Sequence, residues 1–118
     1  MRAGVYEAMS ASPEKVGSRV RRMSKWLVER KLSEAAERLR QLRAELGVVE
    51  EQLAFLTDAA DEARLRAMVA ETPMADREHR EAQKHADAMS RHRAQLVTQI
   101  GELHRSQDEL LERLFAES

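Results

Sequence analysis

Residues 69–79 read VAETPMADREH and include Pro73, one of only two prolines among the 118 residues of the chain. A proline inside a helix costs about 3 kcal/mol, and the residue before a proline is pushed out of the helical conformation. We therefore expect the chain to turn here. Thr72 could cap a helix that has Pro73 at its first position, or Asp76 could cap a helix that begins at Arg77. The pattern allows both.

The stretches on either side of the turn carry apolar residues at alternating steps of three and four. Such an a/d seam, sustained for more than five heptads before the turn, predicts coiled-coil helices. The first seam is Leu32, Ala35, Leu39, Leu42, Leu46, Val49, Leu53, Leu56, Ala60, Ala63, Ala67, Ala70. The second is Ala82, Ala86, Met89, Arg93, Leu96, Ile100, Leu103, Gln107, Leu110, Leu114.

The two seams match when they are paired in antiparallel order. With paired residue numbers summing to 149, Leu53 meets Leu96, Val49 meets Ile100, and the centre falls within TPMAD. The fold class predicted is all-α: an antiparallel coiled-coil helical hairpin with an additional N-terminal amphipathic basic helix. We place the hairpin at 32–118, with a helix at 32–71, a turn at 72–76 and a helix at 77–116.

Two further features depend on this register. Arg93 would face Leu56 and Gln107 would face Leu42. Arg93 could extend to solvent with its stem on the core, or meet a carboxylate from another chain or element. Gly47 and Gly101 would lie almost level, which allows a close approach or a bend of the helices but is equally compatible with coincidence.

The residues before the hairpin follow a different pattern. The apolar stripe Val16, Val20, Met23 and Leu27 predicts a separate basic amphipathic helix at 12–31, which could bend into the next helix near Leu32–Ser33. Residues 1–11 are expected to be disordered. Residues 1–31 have eight basic and three acidic side chains, a net charge of +5, whereas the remainder has a net charge of −6.

Composition limits the classes of function. Charged residues make up 35% of the chain and aromatic residues 3%, which is typical of long helices. There is no cysteine, so no disulfide or thiolate metal site can form. No apolar run is long enough to span a bilayer, and the first residues lack the apolar stretch of a secretory signal. We expect a cytoplasmic protein without a membrane contact.

The sequence contains no pattern typical of catalysis. The four histidines, His79, His85, His92 and His104, lack the Glu-x-x-His step of di-iron bundles, and no glycine-rich phosphate loop is present. We predict that the protein is not an enzyme, with no catalytic residues, no cofactor and no metal.

A basic arm and an acidic turn region are the candidate partner-binding sites. An arginine-rich helix with one tryptophan suits a phosphate-bearing partner or a groove in another protein. The residues of the arm are Arg19, Arg21, Arg22, Lys25, Trp26, Arg30 and Lys31. Those of the hairpin tip are Asp61, Glu62, Glu71, Met74, Asp76 and Glu78.

A coiled-coil hairpin with an acidic tip resembles, at the level of the fold, factors that probe a channel of RNA polymerase. Our leading hypothesis is a non-enzymatic accessory protein that docks on a larger cytoplasmic machine, a nucleoprotein such as RNA polymerase or the ribosome. The alternatives are direct nucleic-acid binding through the arm, and a self-assembling module.

The self-assembling alternative depends on apolar residues that lie off the seams. They would be exposed on a two-helix hairpin and could join two copies in a homodimeric four-helix bundle. The predicted oligomer face consists of Val48, Phe55, Leu65, Met68, Val97, Leu111 and Phe115.

Overall fold

The computed structural model describes residues 24–116, which form two long helices packed against each other. Helix α1 spans Lys25–Ala70 and helix α2 spans Pro73–Ala116. No strand occurs within residues 24–116. The predicted all-α helical hairpin is confirmed. Residues 1–11, and residues 12–23 of the predicted basic helix, lie outside the described residues.

Helix α1 begins earlier than the predicted hairpin. Ser24 caps it: the Ser24 Oγ accepts a hydrogen bond from the amide of Leu27 at 3.2 Å, and the Ser24 carbonyl accepts one from Val28 at 3.0 Å. The helix then runs without interruption through Leu32–Ser33, so residues 25–31 belong to the same helix as residues 32–70.

The corner is a connection of two residues, Glu71 and Thr72. Glu71 has φ of 54°, and its amide donates to the carbonyl of Ala67 at 3.1 Å, as in the left-handed end of many helices. The Thr72 Oγ1 accepts the amide of Ala75 at 3.1 Å, with Pro73 as the first residue of α2. Of the two predicted caps the structure has Thr72, and α2 starts four residues before the predicted Arg77.

Contacts divide the chain into two compact units. The central unit is Ala36–Arg105, and the terminal unit combines the described residues of α1 up to Ala35 with those of α2 from Ser106. In the terminal unit, Val28 is 1% exposed, although we placed Leu27 rather than Val28 on the apolar stripe. Val28 lies four residues before Leu32, so it extends the first seam by one more step.

The predicted register of the central unit is wrong by one heptad. Its three polar pairs between the helices are Glu50–Arg93, Glu45–His92 and Arg43–His104. Their residue numbers sum to 143, 137 and 147, which centre on about 142 instead of 149. Leu53 is therefore not opposite Leu96. Leu46 takes that place, and Leu46 and Leu96 belong to one apolar cluster with Leu42 and Val49.

The register error has a simple cause. A shift of seven residues leaves every a position opposite a d position, so the heptad pattern fits both registers equally well. The two-residue corner moves the centre of the hairpin from 74.5 to about 71.5, between Glu71 and Thr72. That displacement of about three residues in each helix changes the paired sum by about one heptad.

The new register also changes the two expectations that depended on the old one. Leu42 adjoins Gln99 and Leu103 instead of Gln107. Gly47 and Gly101 are no longer level. A Cβ added at Gly47 would meet no atom within 4 Å, and one added at Gly101 would meet only the Arg105 side chain at 3.9 Å. Neither glycine therefore serves a close approach between the two helices.

Candidate docking surfaces

The basic start of α1 consists of Lys25, Trp26, Arg30 and Lys31, all exposed. Trp26 is 64% exposed because the residue buried on this turn is Val28. The Arg30 guanidinium carbon lies 5.6 Å from the centroid of the Trp26 ring, within cation–π range. The remaining residues of the predicted arm, Arg19, Arg21 and Arg22, lie outside the described residues.

Arg30 is shared between two neighbours. Its Nε also lies 3.4 Å from the Glu34 carboxylate, one turn further along α1. An exposed i,i+4 pair of this kind contributes only about 0.3–0.5 kcal/mol, so it leaves Arg30 available to an incoming anion. The basic start is thus an aromatic ring flanked by positive charge on a solvated helix face.

The last turns of α1 carry a second surface, the tip face: Asp58, Asp61, Glu62, Leu65, Met68 and Val69. All six are exposed and occupy the outer b, c and f heptad positions, on the opposite side of α1 from the seam. Leu65, Met68 and Val69 are 58%, 60% and 85% exposed. Within residues 24–116 none of the three acids forms an ion pair, and Arg64 and Arg66 occupy the flanking e and g positions.

The other predicted tip residues lie around the corner. Glu71 forms it, and Met74 is 67% exposed in the first turn of α2. Asp76 lies in that first turn, where a negative charge is favourable near the helix N-terminus, and its amide donates to the Thr72 carbonyl at 3.1 Å. Asp76 thus has a structural reason to be acidic, whereas Met74 has none within the described hairpin.

The predicted oligomer face includes four residues of α1: Val48, Phe55, Leu65 and Met68. Val48 and Phe55 are seven residues apart on the same side of α1, and Phe55 lines a groove with Gln52, Leu56 and Met89. Phe55 is 72% exposed. Leu65 and Met68 belong to the tip face, and they are turned by roughly 80° and 140° from Phe55 at ~100° per residue.

The α2 residues predicted for the oligomer face are Val97, Leu111 and Phe115. Val97 is exposed in the central unit, four residues after Arg93. Leu111 and Phe115 are exposed in the terminal unit.

Three polar pairs join the helices of the central unit. The Arg93 Nε donates to the Glu50 carboxylate at 3.0 Å while the Arg93 side chain stays 43% exposed, so its partner is a carboxylate of the other helix. His92 Nε2 lies 3.4 Å from the Glu45 carboxylate. The Arg43 guanidinium lies 2.7 Å from His104 Nε2, and because arginine can only donate, that nitrogen is the acceptor.

Neither a metal-ligand cluster nor a membrane-spanning helix occurs among the described residues. Within residues 24–116 no three His, Cys, Asp or Glu side chains converge as metal ligands would. Neither α1 nor α2 is long and apolar enough to cross a bilayer. The surface features that remain are the basic start, the tip face and the Phe55 groove.

No protein-family model matches the chain, and comparison with curated proteins and with solved structures gives no significant match. The geometry defines a helical hairpin with exposed apolar and charged surfaces.

Sequence reasoning found the basic start but did not recognise the tip face as one surface. We grouped its acids with residues of the turn and its apolar residues with Phe55. The heptad positions contained the missing signal, since Asp58, Asp61, Glu62, Leu65, Met68 and Val69 all occupy outer positions of one helix.

Proposed function

We propose that this protein is a non-enzymatic coiled-coil interaction protein that docks on a larger cytoplasmic machine through the basic start of α1 and the arm before it. The observation that carries the proposal is Trp26, which is 64% exposed at the start of a long helix and flanked by Lys25 and Arg30. Tryptophan and arginine are the residues most enriched among those that dominate binding energy in protein interfaces.

The charge pattern supports an anionic partner surface. Residues 1–31 carry a net charge of +5, and the arm places Arg19, Arg21 and Arg22 directly before the basic start. Arginine binds phosphate in a bidentate manner, and an exposed tryptophan can stack on a base or fill a pocket. A nucleoprotein such as the ribosome or RNA polymerase presents both kinds of surface, and we propose this class of partner.

Affinity capture of the full chain from a cell lysate, with quantification by mass spectrometry, tests the proposal. We expect wild-type protein to enrich ribosomal or polymerase subunits, and Trp26→Ala with Lys31→Glu to reduce that enrichment about tenfold, as loss of a binding hot spot should. Lys84→Glu with Gln83→Ala is the matched control, at exposed positions on α2. If the Trp26→Ala, Lys31→Glu variant and the control variant enriched ribosomal or polymerase subunits equally, the proposed site would be contradicted.

Direct nucleic-acid binding is distinguished from docking on a protein surface by its dependence on salt. If the arm contacts phosphates itself, the affinity of purified protein for RNA or DNA falls steeply with salt. Arg21→Glu with Arg22→Glu should then abolish binding to the purified nucleic acid. Binding that survives nuclease treatment of the lysate indicates a protein surface of the machine instead.

A second candidate function is a self-assembling structural module, and the Phe55 groove favours it. Phe55 and Val48 are 72% and 54% exposed on one side of the central unit, and burial of such residues favours association. Sedimentation of the full chain across a wide concentration range, with Phe55→Glu beside Thr57→Glu, tests this candidate. Association that both variants retain would exclude the groove as the contact.

A further inference from the structure

We infer that the tip face binds the N-terminal segment 13–23 of a second copy of this chain. The tip face consists of three acids, Asp58, Asp61 and Glu62, followed by three exposed apolar side chains, Leu65, Met68 and Val69. This contact is additional to the docking function proposed above and is carried by different observations.

The hairpin itself gives the apolar part of the tip face nothing to pack against. The seam positions beside it are Ala60 and Ala63, both 3% exposed, so the two helices are already in contact without Leu65, Met68 or Val69. Leu65, Met68 and Val69 have the i, i+3, i+4 spacing of one helix face. This is the spacing with which a helix contacts another helix or a short amphipathic segment.

The charge of the tip face identifies its occupant as basic. The three acids of the face contribute −3 beside the flanking Arg64 and Arg66, and parallel self-pairing of two tip faces would bring acids against acids. The partner must therefore combine positive charge with a short apolar stripe.

Residues 13–23, PEKVGSRVRRM, have both properties. Lys15, Arg19, Arg21 and Arg22 against Glu14 give the segment a net charge of +3, opposite in sign to the three acids of the tip face. Its apolar residues Val16, Val20 and Met23 match the three exposed apolar residues in number and repeat at steps of three and four. Charge and apolar content thus complement the tip face within a segment of one chain.

The segment comes from another copy because its own α1 is too long. Asp58 follows Lys25 by 33 residues of uninterrupted helix, about 50 Å at ~1.5 Å per residue. The 12 residues 13–24 reach at most about 43 Å when fully extended at ~3.6 Å per residue. A segment that enters α1 at Lys25 cannot lie on the tip face of the same α1.

The contact is heterologous, since it joins different surfaces of the two copies. Two chains that exchange their segments close a dimer, whereas successive one-way contacts build longer assemblies. The same arginines serve the proposed docking on a larger machine, so self-association and docking exclude each other. Partner binding would release the tip face.

Charge reversal in the purified full chain tests the contact by sedimentation velocity. One variant reverses the segment, with Arg21→Glu and Arg22→Glu, and the other reverses the face, with Asp61→Arg and Glu62→Arg. Each alone should weaken self-association about tenfold or more, because like charges then oppose each other. A mixture of the two variants, or one chain that carries all four substitutions, should restore it.

The control is Asp108→Arg with Glu109→Arg, which makes the same change of charge at exposed positions of α2 and should leave self-association unchanged. Circular dichroism verifies that every variant keeps its helical content. A wild-type chain that stays monomeric at all concentrations would overturn the inference, and so would reversal variants that associate normally or fail to rescue each other. Because only purified chain is used, these results do not depend on capture of any partner from a lysate.

Discussion

Two stretches of α1 in the central unit place their large apolar side chains on opposite sides of the helix. In residues 39–49 the buried side chains are Leu39, Leu42 and Val49. In residues 60–69 the buried ones are the alanines Ala60 and Ala63, while the large side chains of the tip face are exposed. Apart from Val48, which is 54% exposed, the first stretch directs its large apolar side chains into the hairpin itself. The second presents them to solvent, where only a partner can cover them.

The difference has a physical basis in burial and geometry. Burial of a leucine side chain contributes about 1.5–3 kcal/mol, several times what an alanine methyl group can contribute. Small seam residues let two helix backbones approach, and close approach is what a two-residue corner at Glu71 and Thr72 requires. The hairpin is therefore held mainly by its leucine-rich part, whereas the part nearest the corner combines tight helix contact with an exposed apolar face.

The largest expected effect comes from truncation of one leucine on each side of this comparison. Leu42→Ala removes a side chain that is 1% exposed in the main apolar cluster, and should lower the free energy of unfolding by about 2–5 kcal/mol. Leu65→Ala, on the tip face, should change it by less than about 0.5 kcal/mol. Urea unfolding followed by circular dichroism, at low protein concentration, measures both. Equal losses would break the comparison.

A larger side chain in the alanine seam should give the next largest effect. Ala63 is 3% exposed, so Ala63→Leu should overpack the contact and lower the free energy of unfolding by about 1–3 kcal/mol. Ala54→Leu, at an exposed position of the same helix, is the control and should be close to neutral. Thermal unfolding of both variants measures the two changes in stability. A stabilised Ala63→Leu protein would mean that the alanine seam contains space.

The corner predicts a gain in stability. Glu71 holds a left-handed conformation with φ of 54°, which costs a residue with a side chain about 1–2 kcal/mol relative to glycine. Glu71→Gly should therefore raise the free energy of unfolding by up to about 1 kcal/mol. Glu78→Gly, inside α2, should lower it by about 1 kcal/mol. Urea titrations of the two variants measure both changes, and the expected result is that the changes in the free energy of unfolding have opposite signs.

The smallest effect is expected in the leucine-rich stretch, on its solvent side. Gly47→Ala adds a Cβ that meets no atom within 4 Å, so only the intrinsic helix preference changes, by about 0.8–1 kcal/mol in favour of folding. Differential scanning calorimetry should register a higher Tm. A lower Tm would indicate that something packs closely on Gly47 in solution, and would extend partner contacts beyond the tip face.

Much of the fold could be predicted from heptad spacing. The steps of three and four identified both helices and nearly all residues of the seam, because an apolar stripe along a helix has to be buried. The same spacing would have included Val28 if it had been followed one step further back. The register was predicted wrongly, since a repeating pattern fits equally well after a shift of one repeat.

The candidate surfaces were predictable to different degrees. The basic start is a local property, so Lys25, Trp26, Arg30 and Lys31 could be selected by composition alone. Recognition of the tip face required the outer heptad positions of α1 to be considered together as one surface. The partners of Arg93 and His104 were also out of reach, because Glu50 and Arg43 come within bonding distance only in the observed register.

The amino-acid sequence by itself determined that this chain forms two antiparallel helices with one apolar seam and a turn near Pro73. Periodicity is encoded in every residue along the helix, so it survives errors in any single position. The tertiary structure alone decided where along the seam the two helices pair. Closure of the corner through the Thr72 cap and the left-handed Glu71 selects one register among those that the heptads permit.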